Sequence, residues 1–129
     1  MERLNIVNIG GTDVPLKCDN YVLAQLQEKY KTLNNFEMKL LGLSIIEIDG
    51  KVQKDKEGKT MFLKGEPSVQ AINDALPLMI EEGFAYAADL GRKMEPINTK
   101  LFMRELNMDY RELSVLIHDE FARAFSTKN

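Results

Sequence analysis

The chain has 129 residues, 44% of them hydrophobic and 29% charged. That length suits one folded domain with one core, spanning residues 1–129, and the apolar fraction excludes global disorder. Seventeen basic residues against twenty acidic ones leave a net charge of −3, which argues against the basic surface a nucleic-acid partner requires.

The first segment, Met1 to Ile6, lacks a basic stretch followed by an apolar one, and no later apolar run is long enough for a bilayer. Neither secretion nor a membrane is expected. Residues 3–18 read as a β-hairpin: alternating side chains lead into Gly10-Gly11, which supplies the positive φ angles of a tight turn, and Pro15 suits an edge strand. A phosphate-binding loop would need a further glycine or a Lys-Ser/Thr pair before a helix, and neither follows. Cys18, the sole cysteine, cannot form an internal disulfide and fits a reducing, cytoplasmic compartment. It reads as a half-buried structural thiol.

Asp19-Asn20 supplies cap side chains for a helix over 20–33, with Val22, Leu23, Leu26, Tyr30 and Leu33 on one face. Asn34-Asn35 then separates it from a short helix over 35–41 that Gly42 closes. Residues 44–65 read as a second hairpin, Ile45 to Ile48 against Thr60 to Leu63. Its lysine-rich tip, Lys51 to Lys59, reads as a mobile solvated loop or as a small basic patch facing an acidic partner.

A helix over 68–90, capped by Ser68, is apolar around much of its circumference and belongs at the buried centre, with a kink or break at Pro77. Helices over 98–106 and 110–125 end the chain. The last has a single apolar stripe, Leu113, Leu116, Ile117, Phe121, Ala124 and Phe125. The expected fold class is therefore α+β: two hairpins forming a small antiparallel sheet, packed on four to five helices.

Bond-making chemistry has little support. His118 is the only histidine, and one ligand cannot hold zinc. Ser114 precedes it by one helical turn, yet a nucleophile also needs an oriented base and an oxyanion site, so His118 reads as a surface residue. Glu81-Glu82 and Asp119-Glu120 diverge by about 100° within each pair on a helix and read as solvated. No catalytic residue, cofactor or metal is assigned. Seven methionines are the more informative excess, because unbranched polarisable side chains adapt to irregular apolar partners. Met94, Phe102, Met103, Met108 and Tyr110 gather around the C-terminal helices, either as filler between helices or as a surface for a partner or a second copy.

The order of elements carries a resemblance. A hairpin ending in Pro15-Leu16-Lys17 precedes Leu23-Ala24-Gln25-Leu26-Gln27-Glu28-Lys29-Tyr30 and then Leu33 to Gly42. An alanine-rich central helix from Ala71 to Ala88 and a short helix from Asn98 to Leu106 follow, before the amphipathic end. Nearly the whole chain in this order resembles the tail assembly chaperones of long-tailed phages and prophages of Gram-positive bacteria. The resemblance implies a non-catalytic protein of the host bacterial cytoplasm that is not retained in the mature virion. Its partner would be the long apolar tape measure protein, kept soluble until tail tube protein polymerises around it. It also implies self-association, since many weak contacts along one chain hold firmly together. Such chaperones are often made with a longer frameshifted form, and Thr127-Lys128-Asn129 permits a slippery codon spelling. The alternative is a structural tail or head-completion subunit that stays in the particle. A third reading is a small hydrolase using His118 with Ser114.

Overall fold

The computed structural model describes residues 4–126, so Arg3 of the expected first hairpin and the terminal Thr127-Lys128-Asn129 lie outside the described residues. The fold is α+β, with five helices and small antiparallel sheets among those residues. Strands β1 (Asn5–Ile9) and β2 (Thr12–Leu16) form the N-terminal hairpin, pairing Asn5 with Leu16 through Ile9 with Thr12. Gly10 and Gly11 take φ of 59° and 92°, the left-handed turn conformation that side chains with a Cβ resist.

Helix α1 (Asn20–Tyr30) starts where the Asp19 carboxylate accepts the Tyr21 and Val22 N–H groups. It is shorter than the expected 20–33. Lys31 turns left-handed at φ 73°, and the Thr32 hydroxyl accepts the Asn35 N–H to begin α2 (Leu33–Leu41). The break therefore falls at Lys31-Thr32, before the asparagines, and Leu33 belongs to the second helix. Gly42 closes α2 in the left-handed conformation, as its sequence position implied.

Helix α3 (Val69–Asp89) is the central element, with Ile72, Leu76, Met79, Ile80 and Gly83 all buried. It runs without interruption through Pro77, so the proline does not break it. Helices α4 (Thr99–Arg104) and α5 (Tyr110–Arg123), capped by Asn98 and Asp109, are each a little shorter than expected. α5 buries Leu113, Ile117 and Phe121 while Phe125, placed on that stripe by its spacing, lies exposed beyond the helix end.

One cluster of buried side chains joins the first hairpin to α1, α2, α3 and α5. Its tightest contact is β2 against α3. A methyl group at Gly83 would overlap the Pro15 carbonyl oxygen, and the Lys17 N–H donates to the Met79 carbonyl at 3.0 Å. Only a residue without a Cβ lets the strand lie this close to the helix. Aromatic edges extend the cluster, with Phe36 5.3 Å from both Tyr30 and Phe121 between ring centroids.

The second expected hairpin is more complicated than a hairpin and shares no sheet with the first. Residues 43–66 form a branched arm. Its stem pairs β3 (Leu43–Ile45) with β6 (Phe62–Lys64). A second hairpin pairs β4 (Glu47–Ile48) with β5 (Lys51–Val52) across Asp49-Gly50, and a third turn is closed by the bridge from Lys54 to Thr60. The branches meet in a closed ring of backbone hydrogen bonds: Ile46 donates to Met61, Met61 to Gln53, and Gln53 to Ile46, at 2.9–3.0 Å. The lysine-rich stretch thus contains paired backbone as well as turns. The Asp55 carboxylate fixes its tip by accepting the Glu57 and Lys59 N–H groups.

Gly83→Ala should destabilise the fold by about 1–3 kcal/mol despite a helix-propensity gain, read as a lower urea midpoint. At Asp74, burial pushes the carboxyl up, but hydrogen bonds from Lys29, Tyr30 and Gln70 outweigh it and hold the group below its ordinary value. A depressed folded-state value adds stability above the normal carboxylate range and loses it as pH falls through the folded value. Asp74→Asn should lower stability at pH 7 by about 1–3 kcal/mol and flatten the loss below about pH 4, measured by denaturation across an acid series.

Candidate functional site

Ser114 and His118, weighed above for catalysis, each have a partner within the fold. The Ser114 hydroxyl donates to the Arg111 carbonyl at 2.9 Å, while His118 Nε2 lies 2.7 Å from a Glu37 carboxylate oxygen. His118 is therefore half-buried and clips α5 to α2, where its position in the sequence implied only a surface residue.

Glu120 departs furthest from its expected solvated setting, at 3% exposure. Its carboxylate accepts from Asn5 Nδ2 at 2.8 Å, the Cys18 N–H at 3.2 Å and Arg123 Nη1 at 2.8 Å. The group ties both ends of the N-terminal hairpin to α5, and these three donors replace the water it gives up. A helix-face pattern cannot reveal this, because two of the three donors, Asn5 and Cys18, lie more than 100 residues away in the chain. Cys18, expected half-buried, is fully buried. Burial together with the neighbouring Glu120 and Asp19 carboxylates pushes its thiol up to about 12, against a smaller opposing effect of Lys17. Burial and the carboxylates of Asp19 and Asp89 likewise raise Glu82 above its ordinary value. Among the described residues no group of three or more His, Cys, Asp or Glu could hold a metal ion.

Exposed apolar surface that could meet a partner is found on both the helical body and the arm. An open groove of about 830 Å³ runs between α3 and α4, floored by Pro77, Ile97 and Met103 and rimmed by Glu81, Lys100 and Arg104. A neighbouring groove of about 770 Å³ past the end of α3 holds Met94 with Phe84 and Pro96. A smaller one of about 360 Å³ lies between α2 and α5, lined by Leu33, Phe121 and Phe125.

The five residues singled out in the sequence divide across this body. Phe102, Met103 and Met108 are half-buried against the core, and Met103 also reaches the α3–α4 groove. Met94 is half-buried in its own groove, and Tyr110 is exposed at the start of α5. Leu101 and Val115 are further exposed apolar residues that the sequence did not mark, and Phe125 is exposed although its spacing placed it on the apolar stripe.

The second region is the arm, which the sequence implied to be a hairpin with a solvated or basic lysine-rich tip. No residue from 43 to 66 is buried, yet the segment exposes Ile45, Ile48, Val52, Met61, Phe62 and Leu63, with Ile48 at 58% and Leu63 at 61%. The signal was present in the β-branched and aromatic residues, but charges between them mask it in any average over the segment.

No helix among the described residues is long and apolar enough to cross a membrane. No protein-family model, curated protein or solved structure matches the chain.

Because the Cys18 thiolate is disfavoured and its side chain enclosed, iodoacetamide at pH 8 should leave the folded protein unmodified and label it promptly in urea. Intact-mass measurement over time reads the difference.

Proposed function

We propose that this chain is a non-catalytic phage tail assembly chaperone that covers the apolar helices of a tape measure protein in the host bacterial cytoplasm and is not retained in the virion. The observation that supports this reading best is the set of three open grooves on the helical body, with Met94, Met103, Phe121 and Phe125 among their lining residues. Shallow apolar grooves with charged rims suit amphipathic helices, whose anchors recur every three to four residues. Methionine side chains adapt to different anchors at small cost, which serves a partner offering many similar but unequal segments. The order of elements noted in the sequence supplies the particular partner. Tail tube protein enters only at the end of the process, as the chain that displaces the chaperone.

Co-expression with the tape measure protein tests the reading. The expected result is a soluble complex where the tape measure protein alone precipitates. Replacing Met94 and Phe125, which line two of the grooves, by alanine should weaken that complex by about tenfold or more with little change in the melting curve, since Met94 lies outside the core cluster and Phe125 is exposed. A partner that precipitates as readily with the chain as without it defeats the proposal. Recovery of the chain in purified mature particles by mass spectrometry would instead support a structural tail or head-completion subunit.

A further inference from the structure

The three grooves of the body are not alike in charge. On α3, Asn73, Pro77 and Glu81 line the largest groove, and Phe84 and Ala88 line the one past the helix end. At about 100° per residue these five positions fall within roughly 80° of one another, so both grooves lie along one face of α3. The chain leaving α3 supplies the facing wall, from Gly91 to Pro96 along one groove and from Ile97 into α4 along the other. Pro96 and Ile97 are consecutive, which sets the grooves end to end. That wall carries Arg92, Lys93, Lys100 and Arg104 against one acid, Glu95, in a chain whose net charge is −3. All four cations are exposed, and no ion pair among the described residues engages them. The α3 wall has no cation, and Pro77 leaves the Asn73 carbonyl there without its helical donor. No basic residue lines the groove between α2 and α5.

We propose that the two grooves along α3 are halves of one trough, which takes a single amphipathic helix of about four turns with acidic residues along one flank of its apolar stripe. Length and charge select that occupant. Asn73 to Ala88 spans about 22 Å at 1.5 Å per residue, the length of about fifteen residues of a straight partner helix. Anchors at three- and four-residue spacing would meet Pro77 and Met103 in one half and Phe84 and Met94 in the other. Carboxylates on the flank would face the basic wall, whereas a lysine flank would set like charges together. Each exposed ion pair adds little by itself, so apolar contact holds the helix and charge decides which helix, and which rotation of it, is accepted. The inference rests on the reading that the body covers apolar helices, and it specifies the helices.

Fluorescence anisotropy with labelled synthetic peptides of about sixteen residues tests it on the full chain. One peptide has leucines at helical spacing and glutamates along one flank, a second has lysines in place of the glutamates, and a third scrambles the first. The glutamate peptide should bind at least about tenfold tighter than either of the others, and added salt should narrow its margin over the lysine peptide. Lys100→Glu with Arg104→Glu should reverse the preference. Arg92→Glu with Lys93→Glu should also weaken the glutamate peptide, because one helix spans both halves. Lys54→Glu with Lys56→Glu, exposed on the arm, should change nothing. Circular dichroism of each variant should match wild type, since all six side chains are exposed. Equal binding of the glutamate peptide and either other peptide, a preference that survives reversal at Lys100 and Arg104, indifference to Arg92 and Lys93, or an equal dependence on the arm lysines overturns the proposal. The co-expression experiment separates the two readings. A tape measure protein left insoluble while the peptide preference holds faults the chaperone role, and one kept soluble by a chain that binds glutamate and lysine peptides alike faults only this inference.

Discussion

The body of the molecule depends on one close approach, strand β2 lying directly on helix α3 at Gly83. The missing side chain there brings the strand backbone near enough for the Lys17 N–H to reach the Met79 carbonyl. With β2 in place, Val14 and Leu16 enter the same buried cluster as Leu76, Met79 and Ile80. The hairpin needs no third strand, because the helix covers its inner face. α1 and α5 then close the remaining sides, and Glu120 fastens the hairpin from α5 with hydrogen bonds to Asn5 and Cys18.

Two means of stabilisation coexist in this chain. The body combines dense burial with a few satisfied polar ties, namely Glu120 to the hairpin, Asp74 to Lys29 and Tyr30, and His118 to Glu37. Each tie links elements distant in sequence, so each adds positional definition to apolar packing that by itself tolerates sliding. The arm has neither dense burial nor such ties. Its order rests on backbone hydrogen bonds around the junction of Ile46, Gln53 and Met61 and on turn chemistry at Asp49-Gly50 and Asp55.

Much of this was legible in the sequence where the determinant is local. Asp19 and Ser68 cap the helices their positions suggested, Gly42 closes α2, and the apolar spacing of α3 marks it as central. Local pattern failed where a distant group decides. Leu33 continues the apolar repeat of α1, but the left-handed turn at Lys31 and the cap at Thr32 assign it to α2. Glu120 sits beside Asp119 on a polar-looking turn, and only its folded partners make it a buried acceptor. Pro77 removes a helix donor without ending the helix, whose flanking turns are held by burial of Ile72, Ala75, Leu76, Met79 and Ile80. In the arm, the pairing of the outer strands was legible, but the extra hairpin and the branching within its charged tip leave no simple repeat to read. Of the surfaces, the methionines were visible as an excess, but their division between core edge and groove depends on packing that no spacing encodes.

The arm leaves and rejoins the body at one point. The Gly65 N–H donates to the Gly42 carbonyl at 2.6 Å, the Ser68 N–H returns to the Lys39 carbonyl at 3.0 Å, and the backbone at Gly65 and Glu66 occupies the space a Gly42 side chain would fill. With its two ends already clasped, everything between them is an appendage that the hydrophobic interior does not sense. Its length and composition are free to diverge between lineages, or to be exchanged by grafting, at only the slowly rising entropic cost of a longer excursion. The same helical scaffold can in this way carry different handles.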